Sequence, residues 1–493
     1  MTPSSPEPHP DSLLALSRRH GARYRWLVLF TVMIGTMASV MSSTIVNVAI
    51  PDMSRHFTLG QERAQWMAAG FMAAMTLSML TTPWLLSRFG YRRAYGGAIA
   101  LLLVGGVSGG LSNIYELVMA ARVAEGLAAG VLQPIPAIIV MRAFEPHEQG
   151  KAMGVFSFGV VLAPAIGPSV GGVLVEAFGW RSIFFVVVPF CLASLWMARR
   201  YLPNTAPGGV PANEGGVKLD VRGLALMAVA VLTLLNGLVQ LHNADHGWAF
   251  ALLAVAAAAF TLFLIHQRRT DTPLMALQLF SFQQFAMGGV VAFIYGMALF
   301  GSTYLLPVFM QIALHLPPSL AGAVLLPAGL VLALVIPLAG RLTDRFPVSW
   351  LVSFGLALLA ASFLLMVFVG ASTTLWIITA FAVVGRIGLG FVLPSLNLGA
   401  MRGLPMELIS YGSSSINFLR QLGGAIGVSL VGIFLQWRLQ AHEGDASLPA
   451  EATSLSAFHE TFVLIGVLTA LPIIAAWRMR PRVAAASNDS LPP

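Results

Sequence analysis

From residue 26 onwards the chain alternates long apolar stretches with short polar joints. A helix crossing the hydrocarbon core needs about 20 predominantly apolar residues, and the pattern predicts fourteen such spans. Six lie at 26–50, 64–86, 94–111, 115–140, 152–175 and 182–198, forming a first bundle over 26–198. A polar stretch rich in Pro, Gly and Asn, 199–222, predicts a cytoplasmic linker and not a folded domain. Two further spans follow at 223–241 and 249–265, within 223–265, and then a cytoplasmic connector at 266–284. The last six, at 285–310, 320–340, 350–369, 375–400, 413–435 and 460–477, form a second bundle over 285–477. Short tails, 1–25 and 478–493, are expected on the cytoplasmic side. The first of them is polar and lacks the apolar core and small-residue cleavage site of a secretory signal, so the first apolar segment is expected to be a retained span.

Composition agrees with this pattern. Of 493 residues, 57% are hydrophobic and only 10% charged, against roughly 25% charged in a soluble domain; the mean hydropathy is +0.80. So few charges cannot clothe a soluble enzyme of this length, which excludes that class together with disordered tails and disulfide scaffolds. The fold class is therefore all-α and polytopic in the membrane. The lone Cys191 rules out an intramolecular disulfide and a cysteine-based zinc site. His242, Asp245 and His246 cluster between spans seven and eight, but a short polar outer loop explains them as well as a metal does, and no metal is expected.

A net charge of +8 raises the question of nucleic acid. With the N-terminus inside, twenty-one of the 28 Lys and Arg residues fall on inner segments, four on outer ones, and three (Arg122, Arg386 and Arg420) within spans. This asymmetry is the positive-inside pattern. It places both termini in the cytoplasm and removes the nucleic-acid reading.

The two six-span blocks echo each other. Trp84-Leu-Leu-Ser-Arg88 follows span two, and Arg341-Leu-Thr-Asp344-Arg345 follows the second span of the last block. Arg122-Val-Ala-Glu125-Gly126 in span four matches Arg386-Ile-Gly-Leu-Gly390 in the fourth span of that block. Parallel repeats of six spans are a transporter architecture, with the substrate site between them near the bilayer midplane. No Gly-x4-Gly-Lys-Ser/Thr loop occurs, so ATP is not the expected energy source.

At these residues the chain resembles the major facilitator superfamily, specifically its fourteen-span drug:proton antiporter branch of QacA/EmrB-like multidrug efflux transporters. The most specific match is Gly159-Val-Val-Leu-Ala-Pro164-Ala-Ile-Gly167-Pro168-Ser-Val-Gly171-Gly172 in span five, which resembles the family's antiporter motif. Gly and Pro at such spacings let helices kink and pack backbone to backbone. Thr44-Ile-Val-Asn47-Val-Ala-Ile-Pro51 resembles the motif closing the first span. Arg88, Gly90 and Arg92 after span two, with Arg341, Asp344 and Arg345 in the second half, resemble the cytoplasmic latch. The resemblance implies alternating access, export of amphipathic compounds driven by the proton gradient without a cofactor, and a multi-pass place in the inner or cytoplasmic membrane. It also implies a monomer. A periplasmic adaptor is compatible with the sequence but not indicated by it.

Two departures matter. The family usually places an Asp two residues before Thr44, where this chain has Ser42, and serine cannot carry a proton at useful pH. After span two, the family's Gly and Asp are replaced by Pro83 and Ser87, leaving Asp344 as the acid of the latch, expected to act with Arg341 and Arg345. Of the 20 acidic residues only Glu125 falls deep within a span, where the family usually has Gln. Glu125 and Arg122 are spaced i, i+3 and share a helix face. An ionisable residue there costs at least about 2.5–3.5 kcal/mol to insert, which makes it a functional candidate. Burial and the neighbouring arginine act oppositely on its proton affinity. Two roles stay open: a proton carrier relocated from span one to span four, or a static ion pair that fixes span four.

Ser42, Asn47, Phe71, Met72, Met75, Gln133 and Arg386 are the expected lining of the substrate cavity. Arg386 has no acid in its own helix, and a structural role is favoured over contact with an anionic substrate. Arg420, about 10 Å into span thirteen, is expected to snorkel to the inner surface. The departure at Ser42 keeps a second function in play: export of one endogenous lipid or metabolite without proton coupling.

Overall fold

The computed structural model describes residues 16, 18, 21, 23–59, 61–213, 216, 218–241, 246–370, 372–443 and 450–479. Helices follow the predicted order. The first block comprises Tyr24–His56, Gln61–Met79, Thr82–Leu111, Tyr115–Leu132 with Ile135–Ala143, Gln149–Phe178, and Ser182–Phe185 with Val187–Tyr201. Val221–Gln240 and His246–Gln267 stand at predicted spans seven and eight. The last block comprises Gln283–Ile312, Pro318–Thr343, Val348–Met366, Leu375–Gly399, Ile409–Glu443, and Ala450–Ala470 with Pro472–Trp477. Among the described residues, twelve helices are long and apolar enough to cross a membrane. The helices at predicted spans two and five, Gln61–Met79 and Gln149–Phe178, are not among those twelve.

Several boundaries differ from the sequence pattern. Span two is predicted to reach residue 86, but its helix ends at Met79 and a new one starts at Thr82, where Pro83 suits the first turn because its missing N–H is not needed there. Within Thr82–Leu111 the chain breaks at Gly90, whose φ of 73° and ψ of 174° are not helical, so the polar run before residue 94 holds the turn into span three. Span four breaks at Gln133–Pro134, as proline removes an intrahelical hydrogen bond. Span thirteen is longer than predicted at both ends.

Packing brings spans one and five together, two and three against four, nine against thirteen, and ten and eleven against twelve. The principal contact between the two blocks joins spans five and ten. Spans seven and eight form a hairpin that touches spans two and thirteen only lightly. On span ten, Leu326, Leu330, Leu334 and Leu338 form an exposed stripe at i, i+4 spacing, an apolar face suited to lipid.

The linker folds back onto the turn between spans two and three. The Tyr91 N–H donates to Thr205 O (3.0 Å), the Arg92 N–H to Pro203 O (3.0 Å), and Arg92 Nε to Leu202 O (2.7 Å). Gly90 permits this approach. Its φ is +73°, and a Cβ there would stand 2.9 Å from Asn204 O.

The span-seven/eight hairpin is tied at its base by Asp220. One carboxylate oxygen accepts from the Gly223 N–H (2.8 Å) and lies 2.7 Å from His266 Nε2, while the other accepts from Gln267 Nε2 (2.6 Å). Burial pushes this carboxyl up, but the Gly223, His266 and Gln267 hydrogen bonds outweigh it and hold Asp220 below the usual carboxylate range. A depressed acid contributes stability above its unfolded value, near pH 4, and loses it as pH falls through the folded value. Asp220→Ala is expected to cost the hairpin about 1 kcal/mol as a lost helix cap. Limited proteolysis near neutral pH should cut the variant faster at the hairpin base, and the difference from wild type should shrink on acidification below about pH 4.

Candidate functional site: a buried ion pair and a closed latch

Span four carries Arg122 and Glu125 on one face, and both are only 1% exposed. Arg122 Nη1 donates to Glu125 Oε2 at 2.5 Å, to Ser42 Oγ at 3.0 Å and to Ser42 O at 3.2 Å. Its Nε donates to Met67 O (3.4 Å), and the guanidinium lies over the Phe71 ring, 4.4 Å from its centre. Nη2 is buried without a hydrogen-bond partner. One side chain thus ties spans one, two and four together.

Glycines create the room. A Cβ on Gly105 of span three would stand 2.7 Å from Glu125 Cγ, and one on Gly126 would stand 2.3 Å from Phe71 O. Glu125 therefore sits in a slot closed by spans three and four, with the serine of span one across the guanidinium. A carboxylate held by one arginine in an apolar interior stays charged only while that pairing lasts, because an unpaired buried charge is costly.

The latch lies at the arginine-rich end. Asp344, just beyond span ten, accepts from the Gly150 N–H (2.6 Å) and the Lys151 N–H (2.8 Å), the first turn of span five. A carboxylate at a helix N-terminus satisfies amides that have no partner within the helix. The cation near Asp344 is Arg402 at 3.9 Å, while Arg341 and Arg345 are exposed. This corrects the expected pairing: Asp344 turns inward to the amides, away from its own helix neighbours. Gly340 stands so close to span five that a Cβ there would meet Gly150 O and Gly154 Cα at 2.5 Å each. Further ties between the blocks at this end are Ser413 Oγ to Pro134 O (2.8 Å), Arg402 Nη2 to Pro146 O (3.4 Å), and Arg142 Nη2 to Met406 O. Gly90 and Arg92, expected in the latch, hold the linker instead, and Arg88 lies over the Trp84 and Phe89 rings.

The antiporter-motif glycines face span one. A Cβ on Gly159 would meet Met33 Sδ at 2.5 Å, on Gly167 Thr44 Oγ1 at 3.1 Å, and on Gly171 Ile45 Cγ1 at 2.6 Å; Gly172 meets nothing within 4 Å. Pro164 and Pro168 fall within one continuous helix.

The expected cavity wall divides. Phe71 and Met75 are buried against span four inside the first block, because positions i and i+4 share one face. Met72, half-buried and packed against that same cluster, accepts from Gln421 Nε2 of span thirteen at 3.7 Å. Gln133, at the break of span four, lines a cavity of about 30 Å³ between the blocks together with Ser157, Asn397, Asn417 and Arg420. Asn47 is exposed and Arg386 half-buried. Arg420 stands eleven residues into its helix, about 16 Å, and donates to Asn417 Oδ1 at 2.8 Å. The expectation that it snorkels is corrected by this depth and this bond. His242 and Asp245 lie outside the described residues.

Comparison with known proteins sets these features in a family. The model of the Major Facilitator Superfamily matches residues 32–428. The chain is 30% identical over 427 residues to the multidrug resistance protein B homolog of Mycobacterium tuberculosis, covering 84% of this chain and 78% of that protein. It is 24% identical to the lincomycin resistance protein LmrB of Bacillus subtilis, covering 92% and 95% respectively. The human organic anion transporter MFSD10 superposes with a TM-score of 0.66 at 16% identity, over 92% of this chain and 99% of that one, a likeness of fold. The curated relatives accord with the drug:proton antiporter branch, and the chain belongs to the Major Facilitator Superfamily.

Proposed function

We propose that this membrane transporter exports amphipathic compounds in exchange for protons, as a monomer of fourteen spans with both termini in the cytoplasm. Export of drugs is the activity that the names of its relatives suggest. The observation that carries the coupling is the Arg122–Glu125 pair closed over Ser42. Where the family resemblance implies an acid on span one, this chain has the hydroxyl of Ser42, and Glu125 of span four bonds the same guanidinium. Protonating Glu125 would leave Arg122 charged and unpaired, so the protonated state would favour a rearrangement of spans one and four that gives Arg122 new partners. Spans five and ten would act as the cytoplasmic gate, latched by Asp344, with the glycines and prolines of span five letting it rock on span one.

A second reading, transport of one endogenous lipid or metabolite without coupling, is favoured by Ser42 alone. The test is proton movement on addition of a lipophilic dye to proteoliposomes. Under the proposal, dye enters against an imposed pH gradient and internal pH changes with it; equilibration of dye without proton movement supports the second reading.

A further inference from the structure

Spans seven and eight meet the rest of the protein along a narrow apolar seam. Leu80 at the end of span two, Met227 and Val231 of span seven, Phe263 of span eight and Phe418 of span thirteen are buried together there. On either flank of the seam lies a groove. The first, of about 620 Å³, runs between span seven and spans two, three and four. The second, of about 370 Å³, runs between span eight, the connector and span thirteen. Both sizes fall within the about 300–1,000 Å³ usual for small-molecule sites.

The two grooves are built alike. Their walls are apolar, and among the described lining residues each has one charged side chain, Arg93 in the first and Arg268 in the second. Both arginines stand at the inner end of a span. Arg93 opens span three just beyond the Gly90 turn, and Arg268 follows helix His246–Gln267. Both are exposed. Leu101 and Leu127 in the first groove and Phe260 and Phe280 in the second are exposed as well, so the grooves open sideways, towards lipid. Asp220, at the hairpin base, is turned to Gly223, His266 and Gln267 and lines neither groove. Gly97 sets the width of the first groove: a Cβ there would meet nothing within 4 Å, whereas one on Gly105 of the same span would stand 2.7 Å from Glu125 Cγ.

Apolar walls without atoms packed on one side forfeit dispersion contacts, which an acyl chain restores. The arginine at the inner end then selects the headgroup, because the cytoplasmic leaflet is the anionic one and basic pockets between spans on that side hold its headgroups. Guanidinium also donates paired hydrogen bonds to a phosphate.

We propose that the hairpin of spans seven and eight is seated on two anionic phospholipids of the inner leaflet, one in each groove, with the phosphate at Arg93 or Arg268 and an acyl chain along the apolar wall. Lipid thereby completes the contact that the narrow seam makes only in part. The inference rests on the arginine-rich end being the cytoplasmic one, and it needs neither the proposed proton coupling nor the proposed substrate class.

The test is native mass spectrometry of the purified full chain, titrated with phosphatidylglycerol or with phosphatidylcholine of identical chains. Wild type should retain two phosphatidylglycerol molecules at concentrations where it retains no phosphatidylcholine. Arg93→Gln and Arg268→Gln should each weaken one of the two sites about fivefold, the effect of one basic residue on an anionic lipid, and the double variant should weaken both. Gly97→Phe, which fills the first groove and leaves both arginines in place, should retain one. Arg478→Gln removes an exposed arginine at the same end that lines neither groove, and it should bind as wild type does. Equal retention of the two lipids, or the same loss in Arg478→Gln as in Arg93→Gln, would reduce the effect to general surface charge and overturn the inference. So would a transported dye that takes the first groove in preference to phosphatidylglycerol and moves more slowly in Gly97→Phe, since the groove would then be the substrate's entry from the leaflet. Should the arginine variants fail to fold, Gly97→Phe decides: retention of one phosphatidylglycerol supports the first site, and retention of both removes it.

Discussion

Replacing Arg122 by alanine is expected to cost roughly 3–5 kcal/mol, the usual penalty for removing one partner of a buried ion pair, and to clear most of the protein from the membrane. Glu125 would be left in a slot walled by Gly105, Gly106 and span four, without its cation and without water. The loss has a second part, since Arg122 also bonds both Ser42 oxygens and Met67 O, so three spans lose a shared anchor. The double substitution Arg122→Met with Glu125→Leu separates charge from packing. It removes both ions and fills the volume with apolar atoms, a change that is often neutral or stabilising elsewhere. Thermal unfolding of the purified proteins should therefore place the double variant near wild type and the single variant far below it. An alanine variant as stable as wild type would mean that the pair is not the tie described.

Gly340→Ala is the second large effect. The added methyl would meet Gly150 O and Gly154 Cα at 2.5 Å and Gly154 N at 2.8 Å. All three are backbone atoms, which cannot swing aside as a side chain would. Spans five and ten must separate, and the closed latch becomes the disfavoured state. Asp344→Ala attacks the same gate more gently, since losing a carboxylate cap costs about 0.5–2 kcal/mol, a factor of roughly 2–30 in a two-state population. A cysteine introduced as Asn397→Cys reports the state, because Asn397 lines the closed cavity between the halves and the native Cys191 is buried. Labelling from the arginine-rich side should rise most in Gly340→Ala, less in Asp344→Ala and least in the parent, with transport falling in the same order. Unchanged labelling in Gly340→Ala would remove the gate from spans five and ten.

Much of this was readable before any coordinates. Arg122 and Glu125 meet because i, i+3 spacing on a helix leaves them little choice, and a lone acid within an apolar stretch stands out. Asp344 is visible as the surviving acid of a repeated motif, whereas Gly150 and Gly154, against which Gly340 packs, were not singled out. What stayed hidden involves backbone partners and distant segments. Nothing in Tyr91 or Arg92 tells that they bond the carbonyls of Thr205, Pro203 and Leu202, because a carbonyl has no sequence signature. Arg402 lies 58 positions from Asp344, too far for any periodicity to link them. The side on which Phe71 and Met75 lie stayed hidden for a different reason: the run from Trp66 to Met75 carries no polar side chain, so within it the side facing span four cannot be told from the side facing the other half.

The central claim is that Glu125 carries the proton. The most direct measurement is proton uptake or release on addition of transported dye to proteoliposomes, comparing wild type with Glu125→Gln, which keeps the side chain's size and can still bond Arg122. The account predicts a proton exchanged for each transport cycle in wild type and, in the variant, dye that equilibrates without moving protons or responding to a pH gradient. A variant that still concentrates dye against that gradient, with the wild-type proton dependence, would contradict it and leave the pair a fixed structural tie.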